Sequence, residues 1–439
     1  MSNNAAPKPF PSPSWEGDTK IVLGIAIGTT ESSVSFAFLE NGASQVIHRV
    51  KWPGREAYIQ PSKIPSVLWY DTDKAVVSFG AEALFPEIQE QAEDEMWCLA
   101  RYFKLHLHPD DMKSKYNVKL DVLPPGVSLR QIYSDFLGYL LKHTRSYFED
   151  RIIDGKQIWE QYSPAMEVVI AHPNGWGLRE QTFLQSVAVV AGLSTSEQAS
   201  SKVRFVSEAE ASVHFGISHT NLGDFLQPGV NFAVCDAGGC TVDTTLYSVI
   251  STRPVLQLAE QREPACVQSG AIFVDAAFES FLRKTFDTAG LDTEDVEEYI
   301  QTGVRDFENL AKWAFTDETT DQLIRVAPVR FSYPSIGVRR GCMTIPGSTI
   351  KQFFDACVKA ITTSVDQQLN GLSAQASLET VYTYDKCSEI VTNLEDVEFL
   401  LLMTRIIRVP KQSQTEPSYG VSCQPRIGLG NVLHGPHGV

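Results

Sequence analysis

The hydrophobic pattern of this chain occurs twice. Residues 20–27 (KIVLGIAI) form a nearly continuous apolar run, closed by Gly28-Thr29-Thr30 and followed by a second apolar-rich run from Ser33 to Leu39. An apolar run bounded by turn residues predicts a buried strand, and two in succession predict a hairpin. In the second half, Phe232–Asp236, a turn through Gly238-Gly239 and a run from Asp243 to Ile250 have the same form. Between and after these units the spacing turns helical. Over Leu129–Ser146, the residues Ile132, Phe136, Leu140 and Leu141 share one face. Helices are also expected near 81–91, 95–106, 179–193, 208–215, 270–286, 292–315 and 350–368. Short strands are expected at 165–171 and 203–206, with β-prone stretches at 322–331 and 340–344. A polar loop at 216–230 separates the halves, and no period is recognisable after Gly371.

This order predicts an α/β fold of two similar lobes, with mixed sheets flanked by helices. A disordered, Pro- and Ser-rich leader is expected over 1–19, and a first lobe over 20–227 with an inserted subdomain near 44–125. A second lobe is expected over 228–372 with an insertion near 266–340, then an atypical tail over 373–439. Because the leader has no apolar core, it is not expected to be a signal peptide. The apolar stretch Phe399–Met403 is far shorter than the roughly 18 residues of a membrane span.

A net charge of −16 argues against nucleic-acid and anionic-membrane partners, which need clustered Lys and Arg. It leaves a bound nucleotide open, because backbone N–H groups and metal hold phosphates on acidic proteins. The eight cysteines include no C-x-x-C pair, which fits reduced thiols of a cytoplasmic or nuclear protein better than a zinc site. The paired glycine turns themselves suit a phosphate. Glycine lets the backbone approach an anion, consecutive turn N–H groups form a nest, and Thr29, Thr30 and Thr241 add hydroxyls. Carboxylates at the strand ends would hold the water shell of a magnesium ion.

The segments G-I-A-I-G-T-T, V-C-D-A-G-G-C-T-V-D and F-V-S-E-A-E-A-S-V-H-F-G resemble the first phosphate, second phosphate and first connecting motifs of the actin-like ATPase superfamily. Within it, the chain is similar to the seventy-kilodalton heat-shock (DnaK-like) proteins. It resembles especially a divergent, fungal-type branch lacking the peptide-binding domain, through Arg101–Leu107, Ser269–Asp275 and Ile345–Thr349. The resemblance spans about residues 20–370. It implies ATP or ADP with Mg2+ between the lobes, and protein clients or co-chaperones as partners. Gly28, Thr29, Thr30, Gly238, Gly239 and Thr241 would hold phosphate. Lys104 would approach the terminal phosphate, Glu208 would sit at the hinge, and Asp236 with Asp243 would act through metal-bound water. Glu308 and Lys312 would touch the adenosine.

Three departures bear on activity. Ala26 stands where the family has Asp, and the internal repeat exposes the same gap, since Ala26 aligns with Asp236. Losing one positioned electrostatic group costs roughly 10²–10³-fold in rate. Cys240 replaces a usual Gly, so its side chain either crowds the phosphates or points away. The glycine turn of the adenosine motif, which the resemblance places soon after Leu372, is missing; on that resemblance adenine is expected to be poorly gripped and the C-terminus to be truncated or aberrantly translated. Three readings therefore remain open: an ATP-binding chaperone-like protein with weak or absent hydrolysis, a sugar or small-molecule kinase of the same superfamily, and a degenerate scaffold.

Overall fold

The computed structural model describes residues 14–54, 62–115, 120–219, 226–252, 256–291, 295–370, 381–383 and 404–409. The chain opens with β1 (Lys20–Ala26), β2 (Glu31–Leu39), β3 (Ile47–Arg49) and β4 (Lys63–Pro65). β1 and β2 form the expected antiparallel hairpin, with Ala26 opposite Ser33, and both β3 and β4 pair with the outer edge of β2. A small antiparallel sheet follows from β5 (Leu68–Tyr70), β6 (Val76–Phe79) and β7 (Cys98–Ala100). The chain then returns to the first sheet through β8 (Glu167–His172) and β9 (Val203–Ser207), both parallel to β1. The resulting order is β3-β2-β1-β8-β9, so β1 is hydrogen-bonded on both edges. That explains why its sequence reads as a near-continuous apolar run rather than an alternation.

The second half follows the same plan. β10 (Asn231–Ala237) and β11 (Val242–Ser251) make an antiparallel hairpin with Asp236 opposite Asp243, and β12 (Gln257–Glu260) and β13 (Ala265–Val267) pair with the outer edge of β11. A small sheet of β14 (Gln322–Arg325), β15 (Val338–Arg339) and β16 (Cys342–Ile345) is again inserted. The chain finally returns with β17 (Val381–Thr383) and β18 (Thr404–Val409), giving the order β12-β11-β10-β18-β17. The halves differ in this return: β18 runs antiparallel to β10, whereas β8 runs parallel to β1.

Each half has its own core. Ile21, Leu23 and Ile25 of β1 pack with Phe36, Val168 and Ile170 against Ile132, Phe136 and Leu140 of the helix Leu129–Arg151. In the second half Phe278 and Leu282 of the helix Ala271–Thr288 pack with Phe307 and with Phe353 of the helix Gly347–Leu369. The rings of Phe278 and Phe307 stack at 4.3 Å. A third cluster joins Val213 of the helix Glu208–His219 to Phe232, Val234 and Tyr247 of the second sheet.

Some expectations need correction. The helix expected over 95–106 is instead β7 and a short helix, Lys104–Leu107, because Met96 and Tyr102 take left-handed backbone angles (φ 56° and 52°) that interrupt a helix. The helix expected over 292–315 runs Val296–Asp306 and then widens into a π turn at Phe307–Ala311. Residues 14–19, placed in the disordered leader, lie along the Asn41–Ala43 turn, where the Trp15 amide donates to the Ala43 carbonyl at 2.9 Å. The loop expected from 216 is helical through His219. The missing adenosine turn falls at 371–380, outside the described residues, as do residues 1–13 of the leader and most of the tail. Among the described residues no helix is long and apolar enough to cross a membrane.

The helix Leu129–Arg151 carries a buried flaw: Thr144 is 0% exposed, and its Oγ1 has no hydrogen-bond partner among the described residues. A buried hydroxyl without a partner is destabilising, and valine has nearly its shape. Thr144→Val is expected to stabilise the fold by about 1 kcal/mol, read as a higher urea midpoint. An unchanged midpoint would mean that the hydroxyl is satisfied in solution.

Candidate functional site

The two glycine turns meet. A Cβ on Gly239 would fall onto the Oγ1, Cγ2 and Cβ atoms of Thr30, so the second turn approaches the first as only glycine permits. Each turn is fixed from within. In the first, Ser32 Oγ accepts from the Gly28 amide at 3.2 Å, Ser66 Oγ donates to the Gly28 carbonyl at 2.8 Å, and the two hydroxyls lie 2.8 Å apart. A side chain at Gly28 would collide with the Glu31 carbonyl. In the second, the Gly238 amide donates to the Thr241 carbonyl at 2.9 Å. The start of the helix Ala271–Thr288 closes over it: the Ala271 and Ile272 amides donate to the Gly238 and Gly239 carbonyls at 3.2 and 2.9 Å.

Lys104, Glu208, Asp236 and Asp243 are gathered beside these turns. Lys104 Nζ donates to Glu208 Oε1 at 2.6 Å, with both side chains largely buried. The pair joins the short helix Lys104–Leu107 to the first residue of the helix Glu208–His219, two segments far apart in the chain. Phe103 and Tyr133 pack edge-to-face at 5.1 Å beside Lys104, and the Trp176 ring lies 5.9 Å from its ammonium. Trp176 Nε1 donates in turn to His108 Nδ1 at 3.1 Å, and burial brings His108 down to about 3, so its ring is neutral.

The carboxylates repel one another. Burial, followed by the charges of Glu208 and Asp243, holds Asp236 well above its ordinary value, while Lys104 and Lys63 pull it back. Asp243 is pushed up to about 6, again chiefly by burial, although the Cys266 thiol donates to it and Thr241 Oγ1 lies 3.4 Å from its Oδ2. Its Oδ1 is enclosed and has no hydrogen-bond partner among the described residues. Cys240 is turned inward, 2% exposed, with Gln268 Nε2 at 3.7 Å from its sulfur. Burial pushes its thiol up to about 11, so it neither crowds the turn nor reacts readily.

Other expected residues lie at the margin. Lys312 is held by both oxygens of Asp275 at 2.7 Å, on the helix that caps the second turn. Glu308 is exposed on the π turn, and its charge reaches Tyr102, whose hydroxyl is raised mainly by burial. Thr29 and Thr241 are buried at their turns. The sequence reading missed Ser32 and Ser66, Trp176, the buried Lys63 on β4, and Asn174. Asn174 Nδ2 donates to Tyr247 Oη at 2.8 Å and Glu260 Oε1 at 2.7 Å, and its Oδ1 accepts from the Ala209 amide at 3.3 Å, tying the end of β8 to the second sheet. In the sequence Asn174 stands in His172-Pro173-Asn174-Gly175, which marks a turn and nothing more.

No protein-family model matches the chain. Over 340 residues it is 22% identical to human heat shock 70 kDa protein 12B, covering 65% of this chain and 48% of that protein. Over 315 residues it is 24% identical to mouse heat shock 70 kDa protein 12A, covering 61% and 46%. The chain spans about half the length of the curated relatives it matches.

Because Asp243 has its pKa raised from 3.8 to about 6, the fold favours its neutral form. That contribution to stability is present below pH 4 and is lost as pH rises through about 6. Urea unfolding from pH 4 to 7 should show stability falling over this interval, and falling less in Asp243→Asn, which is neutral throughout. Equal slopes in the two proteins would contradict the shift. These similarities make the chain a distant relative of the seventy-kilodalton heat-shock proteins, and its mixed α/β architecture is consistent with the actin-like ATPase fold.

Proposed function

We propose that this chain binds ATP or ADP between the two glycine turns, closes its two lobes around the nucleotide, and hydrolyses it weakly or not at all. The observation that carries this reading is the meeting of Gly239 with Thr30 beside the Lys104–Glu208 pair. Two backbone turns with small residues face each other beside a buried cation, the setting an anionic ligand requires; because the turns touch, the ligand enters as the lobes part. Thr29 and Thr30 on one side, and Gly239 and Thr241 on the other, present amides and hydroxyls to phosphate, while Gly28 and Gly238, whose amides are engaged by Ser32 Oγ and the Thr241 carbonyl, shape the turns around it. Lys104 leaves Glu208 to meet the terminal phosphate, and Glu208, at the start of a helix joining the halves, moves with closure. The Asn174 bridge to Tyr247 and Glu260 is the pivot of that motion.

Magnesium fits this site only through water. Among the described residues no group of three His, Cys, Asp or Glu side chains is placed to ligate a metal directly. The enclosed, unpartnered Oδ1 of Asp243 and the adjacent Asp236 suit a hydrated ion, which Mg2+ prefers. Such an ion would neutralise phosphate charge. Asp236 would accept a hydrogen bond from the attacking water, and Lys104 would hold the departing phosphoryl oxygens. Ala26 supplies no second acid, which is why hydrolysis is weak in this reading.

The similarity to the heat-shock proteins supports a chaperone-like role, and the segments Arg101–Leu107 and Ser269–Asp275 are the ground for the divergent, fungal-type branch. Protein clients or co-chaperones as partners, and the cytoplasm as the compartment, belong to the same proposal. A second reading, a scaffold without nucleotide, draws on Lys312, which is engaged by both oxygens of Asp275 at 2.7 Å.

MgATP and MgADP at millimolar concentration are expected to raise the melting temperature by several degrees, as binding to the native state alone requires. No shift would favour the scaffold. Ala26→Asp is expected to raise ATP turnover by roughly 10²-fold. Turnover that stays at background would place the defect elsewhere in the site.

A further inference from the structure

Laid over each other, the two hairpins align Ala26 with Asp236 and Ser33 with Asp243, and the match extends one strand further. β4 pairs with β2 as β13 pairs with β11, so Lys63 stands opposite Ser33 where Cys266 stands opposite Asp243. Directly opposed residues of antiparallel strands project from the same face. Each half therefore presents a three-residue row: Ala26, Ser33 and Lys63 in the first sheet, Asp236, Asp243 and Cys266 in the second. One row has lost its acid and carries a cation; the other carries two acids.

We propose that Lys63 is a phosphate-binding residue that replaces, in the first half of the site, the acid absent at Ala26, so that the site accepts a polyphosphate without requiring magnesium. Lys63 is 7% exposed, an uncommon state for a lysine, and it is close enough for Asp236 to feel its charge. Its strand is anchored: Ile64 is fully buried, and Trp52 Nε1 donates to the Ser62 carbonyl at 2.9 Å just before Lys63. Lys104 is a second buried ammonium whose charge reaches Asp236, and it is paired with Glu208 at 2.6 Å. A tri- or diphosphate brings several negative charges to a place that already holds Glu208, Asp236 and Asp243. An acid at position 26 would add to that repulsion and make a divalent cation necessary. A lysine one strand over works the opposite way, as an ammonium that donates to phosphate oxygens directly.

This inference rests on the nucleotide reading above, and the test separates the two. Calorimetric titration of the full chain with pyrophosphate, ADP and ATP would be run in EDTA and in excess magnesium. It would compare the wild type with Lys63→Gln, Lys63→Arg and Ala26→Asp, with circular dichroism on each. The wild type is expected to bind ATP and pyrophosphate in EDTA nearly as well as in magnesium. Lys63→Gln should lose about 10–100-fold in EDTA, and Lys63→Arg should retain binding. Ala26→Asp should bind in magnesium only, and it serves as the test should Lys63→Gln fail to fold. Pyrophosphate binding that needs Lys63, with no preference for ATP, would support the lysine and overturn the nucleotide. ATP binding that is unchanged in Lys63→Gln, or in Ala26→Asp without magnesium, would overturn the role of Lys63 and keep the nucleotide. A wild type that binds none of the three in EDTA overturns the proposal.

Discussion

No side chain fits between Gly239 and Thr30, and the arrangement of the site follows from that contact. It brings the tips of two hairpins together although they belong to different sheets. Once the tips touch, the strand ends beside them converge, and with them Asp236 and Asp243 from one sheet and Lys63 from the other. The short helix that supplies Lys104 and the helix that starts at Glu208 then close the remaining sides. The turns are held in shape by Ser32 and Ser66 on one side and by the amides of Ala271 and Ile272 on the other. Those bonds preset the backbone, so little ordering remains for a ligand to impose.

Charge then sets the character of the site. Three carboxylates lie near two ammonium groups, and burial first, then the neighbouring carboxylates, raises Asp236 and Asp243 while the lysines oppose the shift. An enclosed excess of negative charge is unstable unless protons, cations or motion relieve it. Lys104 is meanwhile paired with Glu208 at 2.6 Å, with the Trp176 ring 5.9 Å from its ammonium.

The hairpins were legible in the sequence because strand burial and glycine turns leave local marks. The run KIVLGIAI, and the aligned positions Ala26 and Asp236, could be read without any structure. Lys104 and Glu208 were reachable only through motif resemblance, since their pairing joins distant segments and leaves no periodic trace. Lys63 was not reachable at all, because its meaning lies in the register of β4 against β2, fixed by hydrogen bonds across a long connection. The break at Tyr102 was hidden for a different reason: a left-handed tyrosine is a tertiary constraint that local propensity does not anticipate. Ser32 and Ser66 read as ordinary strand and loop serines, and only their 2.8 Å separation gives them a task.

The antiparallel return of β18 beside β10 bears on how the chain reaches this state. β10 is central to its sheet, yet its second edge is covered by residues 404–409, which are synthesised long after it. At about 5–20 residues per second, that edge waits on the order of ten seconds or more on the ribosome. Throughout that interval the second sheet presents open backbone donors and acceptors to any neighbouring strand. The first sheet waits nearly as long, because β8 follows β1 by almost as many residues as β18 follows β10. Each half of the duplicated architecture thus passes in turn through a stage in which its central strand has one edge open, the second beginning only after the first has been closed.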